Sequence, residues 1–141
     1  MSVFNALHTG IYNKLAGGTA LTALLSGGTA SLYHIAPPDK ATMPYVVWNI
    51  QGGGDDNLTA HRTKNMVVFV RGFSGDSAAA AGTIDKEADA LLHGQVITVS
   101  GWSNNFWTAR EMDFERAEVS PSGKRHWMAG GFYRIRLGED E

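Results

Sequence analysis

Glu111, Asp113 and Glu115 form the densest group of carboxylates in the chain, alternating along a strand-like stretch. Carboxylates two apart on one strand face could supply the acid and base of a glycosidase-like cleft. The same pattern describes a solvated strand face balanced by Arg134 and Arg136, and the small energies of exposed ion pairs favour that reading. Such a strip could also form a channel wall that repels DNA phosphates. The five histidines, at 8, 34, 61, 93 and 126, have no histidine three or four positions away and no zinc-motif carboxylates. They read as structural or surface groups. Gly72-Phe73-Ser74-Gly75 lacks the G-x-S-x-G spacing of a nucleophile elbow and reads as a turn with a capping serine. Gly52-Gly53-Gly54-Asp55-Asp56 has no Gly-Lys-Ser/Thr ending, and its two acids would repel phosphate. Asn57-Leu58-Thr59 matches a glycosylation sequon without a signal peptide before it. No catalytic residue, metal or cofactor is expected.

The elements that would position these groups follow from periodicity. Phe4, Leu7, Ile11 and Leu15 share one helical face, Gly17-Gly18 ends that helix, and Thr19 is placed to cap a short second one. Ser31 to Ala36 reads as a short strand. Pro37, Pro38 and Pro44 then impose a stiff turn before a strand over Tyr45 to Ile50. Gly52 to Arg62 reads as a polar loop, and Asn65 to Phe73 as a central strand apolar on both faces. Asp76 or Ser77 caps a helix over Ala78 to Leu92, and Val96 to Val99 is a short strand. Asn105 to Val119 and Lys124 to Leu137 form a hairpin around Ser120-Pro121-Ser122-Gly123.

With Val119 opposite Lys124, that hairpin places Glu111, Asp113, Glu115, Arg134 and Arg136 on one face and mainly apolar residues on the other. The expected fold is α+β, an antiparallel β-sheet with helices packed on one side, in a single domain over residues 1–141.

Composition bounds the function. The chain has 141 residues, 43% of them hydrophobic, and a net charge of -2 that argues against a general phosphate-binding surface. It has no cysteine, so thiol catalysis and disulfides are out. No apolar run approaches the roughly 20 residues of a membrane span, so a soluble protein made in a cytoplasm is expected. Trp48, Trp102, Trp107 and Trp127 offer more large apolar surface than one thin core needs, which suggests association of subunits.

Four stretches carry a family likeness: "ALHTGIYNKL" (Ala6 to Leu15) followed by "ALTALL" (Ala20 to Leu25); "LYHIAPPDKATMPYVVW" (Leu32 to Trp48); "VVFVRGFSGDSAAAAGTIDKEADALLHG" (Val67 to Gly94); and "GGFYRIRL" (Gly130 to Leu137). Over nearly its full length the chain resembles the bacteriophage tail-completion family, the tail terminators of long-tailed phages. The glycine-rich Gly52 to Arg62 and the acidic Glu139-Asp140-Glu141 depart from the family pattern.

The resemblance implies a ring-shaped homo-oligomer, commonly a hexamer, made in the host bacterial cytoplasm and placed in the virion at the head-proximal end of the tail. It would halt polymerisation of the tail tube protein and offer a surface to the head connector protein, with DNA passing through its lumen without sequence-specific binding. Gly52, Gly53, Gly54, Asp55, Asp56, Asn57, Leu58, His61 and Arg62 would then form a loop that orders on docking. Two other readings stand beside it: a head-tail connector ring, and a small α+β enzyme or ligand-binding domain using Glu111, Asp113 or His126.

Overall fold

The computed structural model describes residues 2–57, 60–103 and 108–140. Ser2 opens helix α1 (Val3–Ala16) by accepting a hydrogen bond from the Asn5 N–H at 3.2 Å, which satisfies one of the free donors of the first turn. Ala6, Leu7, Ile11 and Leu15 are buried on one face. Phe4 departs from the expected stripe and stands 53% exposed. Helix α2 (Thr19–Thr22) has Gly18 rather than Thr19 at its N-cap and no side-chain cap.

One six-stranded sheet carries the rest: β1 (Leu32–His34), β2 (Tyr45–Asp56), β3 (Thr63–Ser74), β4 (Trp102–Ser103), β5 (Ala109–Val119) and β6 (Arg125–Glu139). The spatial order is β1-β2-β3-β6, with β4 and β5 both pairing with β6. All pairs are antiparallel except β1 with β2, so the sheet is mixed rather than antiparallel throughout. The stiff segment holding Pro37, Pro38 and Pro44 is therefore a return that brings β2 alongside β1 in the same direction, a connection no tight hairpin can make.

Helix α3 (Ala78–Leu92) starts at Ser77, whose Oγ accepts from the Ala80 N–H at 3.0 Å. It lies against β3 where Gly72 leaves room for Ile84. A Cβ on Gly72 would come 2.5 Å from Ile84 Cγ2. The helices cover one face of the sheet, in an α+β arrangement. Beneath them Trp48, Val68, Val70, Tyr133, Ile135 and Leu137 meet Leu7, Ile11, Ile84 and Leu92 in one core. Burying such a side chain contributes roughly 1.5–3 kcal/mol.

Val96 to Val99 is not a strand. Ile97 and Val99 sink into the core, and the segment crosses α1 so closely that a Cβ on Gly10 would lie 2.5 Å from the Thr98 carbonyl oxygen. Among the described residues, an isolated bridge joins Val99 to Trp102.

The hairpin register also differs from expectation. Val119 pairs with Arg125, not Lys124, because Ser120 to Lys124 closes the turn through Ser120 N–H to Lys124 O at 2.8 Å, with Gly123 at φ +84°. A bulge between Arg110 and Met112 then removes the offset, so Arg110 opposite Tyr133 and Ala109 opposite Arg134 are as expected. The beginning of the expected strand, Asn105 to Trp107, lies outside the described residues.

Candidate functional site

The sheet has a second face that the helices leave open. Strand alternation and the observed register bring Tyr33, Tyr45, Phe69, Phe73, Phe114 and Phe132 onto it. Their rings form two groups: Phe69 stacks on Phe132 at 4.4 Å between centroids and meets Phe114 edge-on at 5.5 Å, while Tyr45 contacts Phe73 at 5.2 Å and Tyr33 at 5.6 Å. Phe69 is buried by its neighbours, the other five are half-buried, and Met112 beside Phe132 is 58% exposed. Clustered apolar rings on a face that the helices leave open are the kind of patch that serves association.

Arg71 sits in the middle of this face. Its guanidinium lies 4.7 Å from the Phe69 ring centroid and 5.9 Å from that of Phe73, and Nη2 donates to Asn49 Oδ1 at 2.9 Å. Burial pulls its pKa below the ordinary arginine value. Its Nε is buried without a hydrogen-bond partner, and no carboxylate among the described residues forms an ion pair with it. Arg116, over Phe114 at 5.0 Å, and Arg134 add positive charge to the same face, against Glu118 and Glu111.

Behind the sheet, α3 and β5 enclose an open acidic cavity of about 620 Å³ lined by Asp85, Lys86, Asp89, Arg110, Asp113 and Glu115, among others. Arg110 is its organiser. It binds Asp85 through two hydrogen bonds of 2.8 and 2.9 Å, Asp113 at 2.6 Å, the Tyr133 hydroxyl at 2.9 Å and the Gly130 carbonyl at 2.8 Å. Burial opposes its charge, but the Asp85 and Asp113 hydrogen bonds outweigh that and raise its pKa. Gly131 makes the passage possible, since a Cβ there would meet the guanidinium at 2.6 Å. Tyr133 in turn donates to Asp89 at 2.9 Å, and burial is the main cause of its raised pKa. These groups hold β5 to α3.

At the β1 edge, His8 and His34 contact each other with centroids 3.3 Å apart, above a buried Trp48. Burial first, and the neighbouring His34 second, lower the His8 pKa to about 4. An open cavity of about 560 Å³ lies alongside, with exposed Phe4 and Ile35 at its rim.

The expected site residues are redistributed by this fold. Gly52, Gly53, Gly54, Asp55 and Asp56 are not loop: they extend β2 and pair with Val67, Met66, Asn65, Lys64 and Thr63 past a bulge at Gln51. Three glycines pass for a turn in sequence, yet backbone hydrogen bonds to β3 need no side chains. Asp55 is held by Lys64 at 2.5 Å and by Arg62 at 3.4 Å, and the Lys64 hydrogen bond lowers its pKa. Asn57, His61 and Arg62 remain in the turn, while Leu58 lies outside the described residues.

The five charged residues of the hairpin do not share a face. Asp113 and Glu115 pair with Gly131 and Ala129 on the helix side. Arg134 and Arg136 point to the open side, and Glu111 sits at the bulge, reaching Arg134 at 2.7 Å. His126 is on the open face, 3.1 Å from Glu118, so Glu111, Asp113 and His126 do not converge. Ser74 is fully buried and accepts from the Asp76 N–H at 3.1 Å, a turn cap with no exposed hydroxyl.

The expected surplus of tryptophan surface is not where the open apolar area lies. Trp48 belongs to the core and Trp102 packs against it, whereas the open face is built of phenylalanine and tyrosine. Trp107 lies outside the described residues. No motif marks Arg71 or the Arg110 cluster. The signals for them are weaker: one cation inside an apolar strand, and Asp85 with Asp89 one helical turn apart on α3. Among the described residues no group of three His, Asp or Glu is arranged to hold a metal, and no helix is long and apolar enough to cross a membrane.

No family model matches the chain, and no curated protein does either. Among solved structures, a chain from a structure described as the virion of a native gene transfer agent particle is similar in fold. The TM-score is 0.79 at 18% sequence identity, over 97% of this chain and 98% of that one. The likeness is one of fold over nearly the whole of both chains.

Proposed function

We propose that this chain is a structural component of a virion, a tail terminator that forms a hexameric ring on the head-proximal end of the tail tube. The ring stops addition of tube subunits, presents its outer side to the head connector, and lets DNA pass through without reading its sequence. The observation that carries this reading is the end-to-end fold likeness to a chain of a virion particle. The residue pattern that resembles tail terminators, and an apolar open face that suits protein association better than chemistry, support it.

The test is removal of the gene from the producing phage or particle, with electron microscopy of the products. Over-long or headless tails, restored to normal by the full chain in trans, are the expected result. Tails of normal length that lack heads would move the protein to the head-side connector, and normal particles would end the assembly reading.

A further inference from the structure

A ring of identical copies with a single rotation axis needs two different surfaces on each copy, facing opposite ways and complementary to one another. The fold has two such surfaces. The front is the open sheet face, apolar, with arginines outnumbering carboxylates and with the buried Nε of Arg71 lacking a partner. The back is the α3–β5 cavity, where carboxylates outnumber cations even after Arg110 is counted. Within that cavity Glu115 is exposed and has no ion-pair partner among the described residues.

We propose that the front of one copy seats on the α3–β5 side of a second copy, bringing an acidic side chain of the back, Glu115 foremost, to Arg71. This rests on the ring reading and adds to it the two surfaces and their polarity. The occupant is a second copy because its own back is rich in carboxylates, whereas the front's Glu118 and Glu111 are engaged with Arg116, His126 and Arg134, and because front and back lie on opposite sides of one sheet. An exposed carboxylate meeting a half-buried arginine on aromatic rings gains a charge-assisted hydrogen bond in a partly desolvated place. A pair of equal fronts would instead bring arginine against arginine. Contact between unlike surfaces also sets a direction, so each copy added leaves one front and one back free until the ring closes.

The absence of cysteine allows a direct test. Arg116→Cys marks the front and Lys86→Cys marks the back, both at exposed positions. Each variant alone, and then an equal mixture, is treated with a short bis-maleimide while light scattering records the mass. Cross-linked pairs in the mixture, and in neither variant alone, are the expected result. Linking of Arg116→Cys to itself would mean front-to-front contact and overturn the proposal. A ring mass without cross-links in the mixture would overturn these surfaces while leaving the ring intact. A monomer at every concentration would remove the ring reading and this inference with it. Charge reversal gives a second readout: Arg71→Glu should reduce the ring to monomers, and adding Glu115→Arg in the same chain should restore it. Ring mass unchanged in a folded Arg71→Glu variant would count against the contact.

Discussion

On the helix side of the sheet, Trp48, Val68, Tyr133 and Ile135 lose nearly all solvent contact beneath α1 and α3. On the other side Tyr45, Phe73, Phe114 and Phe132 stay half-buried, shielded mainly by one another and by the stems of Arg71 and Arg116. Both faces are apolar, but among the described residues only the first is covered by helices. The difference separates apolar residues that hold one copy together from those available to hold copies to each other, and it predicts unequal responses to the same kind of truncation.

Ile84→Ala, on the buried face of α3 and over Gly72, should lower the unfolding free energy by about 2–5 kcal/mol, as large-to-small changes in packed cores do. Phe114→Ala on the open face should cost the isolated copy less, about 1–2 kcal/mol, because the half-buried ring loses one aromatic pair contact and only part of a full burial. Urea midpoints measured at low protein concentration check both. Equal losses would mean that the open face is already covered in solution.

The charged groups divide in the same way. Arg110→Ala should cost about 2–3 kcal/mol, toward the lower end for breaking a buried pair because Asp85 and Asp89 keep some solvent. Replacing Glu111, Asp113 and Glu115 together with alanine should cost within about 1 kcal/mol per exposed pair removed. Thermal unfolding of the two variants distinguishes a clamp from a solvated rim. A triple variant as unstable as Arg110→Ala would make Asp113 part of the clamp in energy as well as in geometry.

Burial of His8, and second its neighbour His34, make one edge of the core sensitive to pH. The folded-state pKa of His8 is near 4 and the unfolded value is the ordinary 6.5, so the unfolded chain takes up the proton first. The stability this site contributes is complete above pH 6.5 and is lost as pH falls from 6.5 toward 4. Melting temperatures between pH 7 and pH 4 should fall more steeply for the wild type than for His8→Gln. Parallel slopes would show that carboxylates alone set the acid limit.

Elements that depend on local periodicity are legible in the amino-acid sequence: α1, α3 with its Ser77 cap, the central strand β3 and the last hairpin. Properties that depend on distant pairing are not. Gly52 to Asp56 looks like loop because nothing local announces that β3 continues far enough to hold it. The bulge at Glu111 changes which face Asp113 and Glu115 occupy, and a shift of one residue is enough to do that. Arg110 reads as one more strand cation until α3 brings Asp85 and Asp89 beside it and Gly131 makes room. The open face is half legible: alternation marks β3 as apolar on both sides, but periodicity cannot say whether a helix of the same chain or another chain covers each side.

The smallest expected effect on stability belongs to the β2–β3 turn, and it sharpens the comparison between what holds one copy and what joins it to others. Asp56 pairs with Thr63, so the true connection is Asn57 to Arg62, and the β2–β3 ladder does not use that segment, although the Arg62 carbonyl accepts from the Glu139 N–H at 2.9 Å. Replacing Asn57 to Arg62 with Asn-Gly keeps Asp56 opposite Thr63 in a turn type that suits strand twist. It removes the Arg62 contact with Asp55 at 3.4 Å but keeps that of Lys64. Cutting a six-residue connection to two changes closure entropy by about 1 kcal/mol, so the melting temperature should move by only a few degrees. The proposed docking role predicts a much larger consequence in particles: a folded protein that no longer complements loss of the gene, with tails over-long or headless by electron microscopy. Full complementation by the shortened chain would make the turn a plain connection and leave the open sheet face and the α3–β5 groove as the surfaces that matter for assembly.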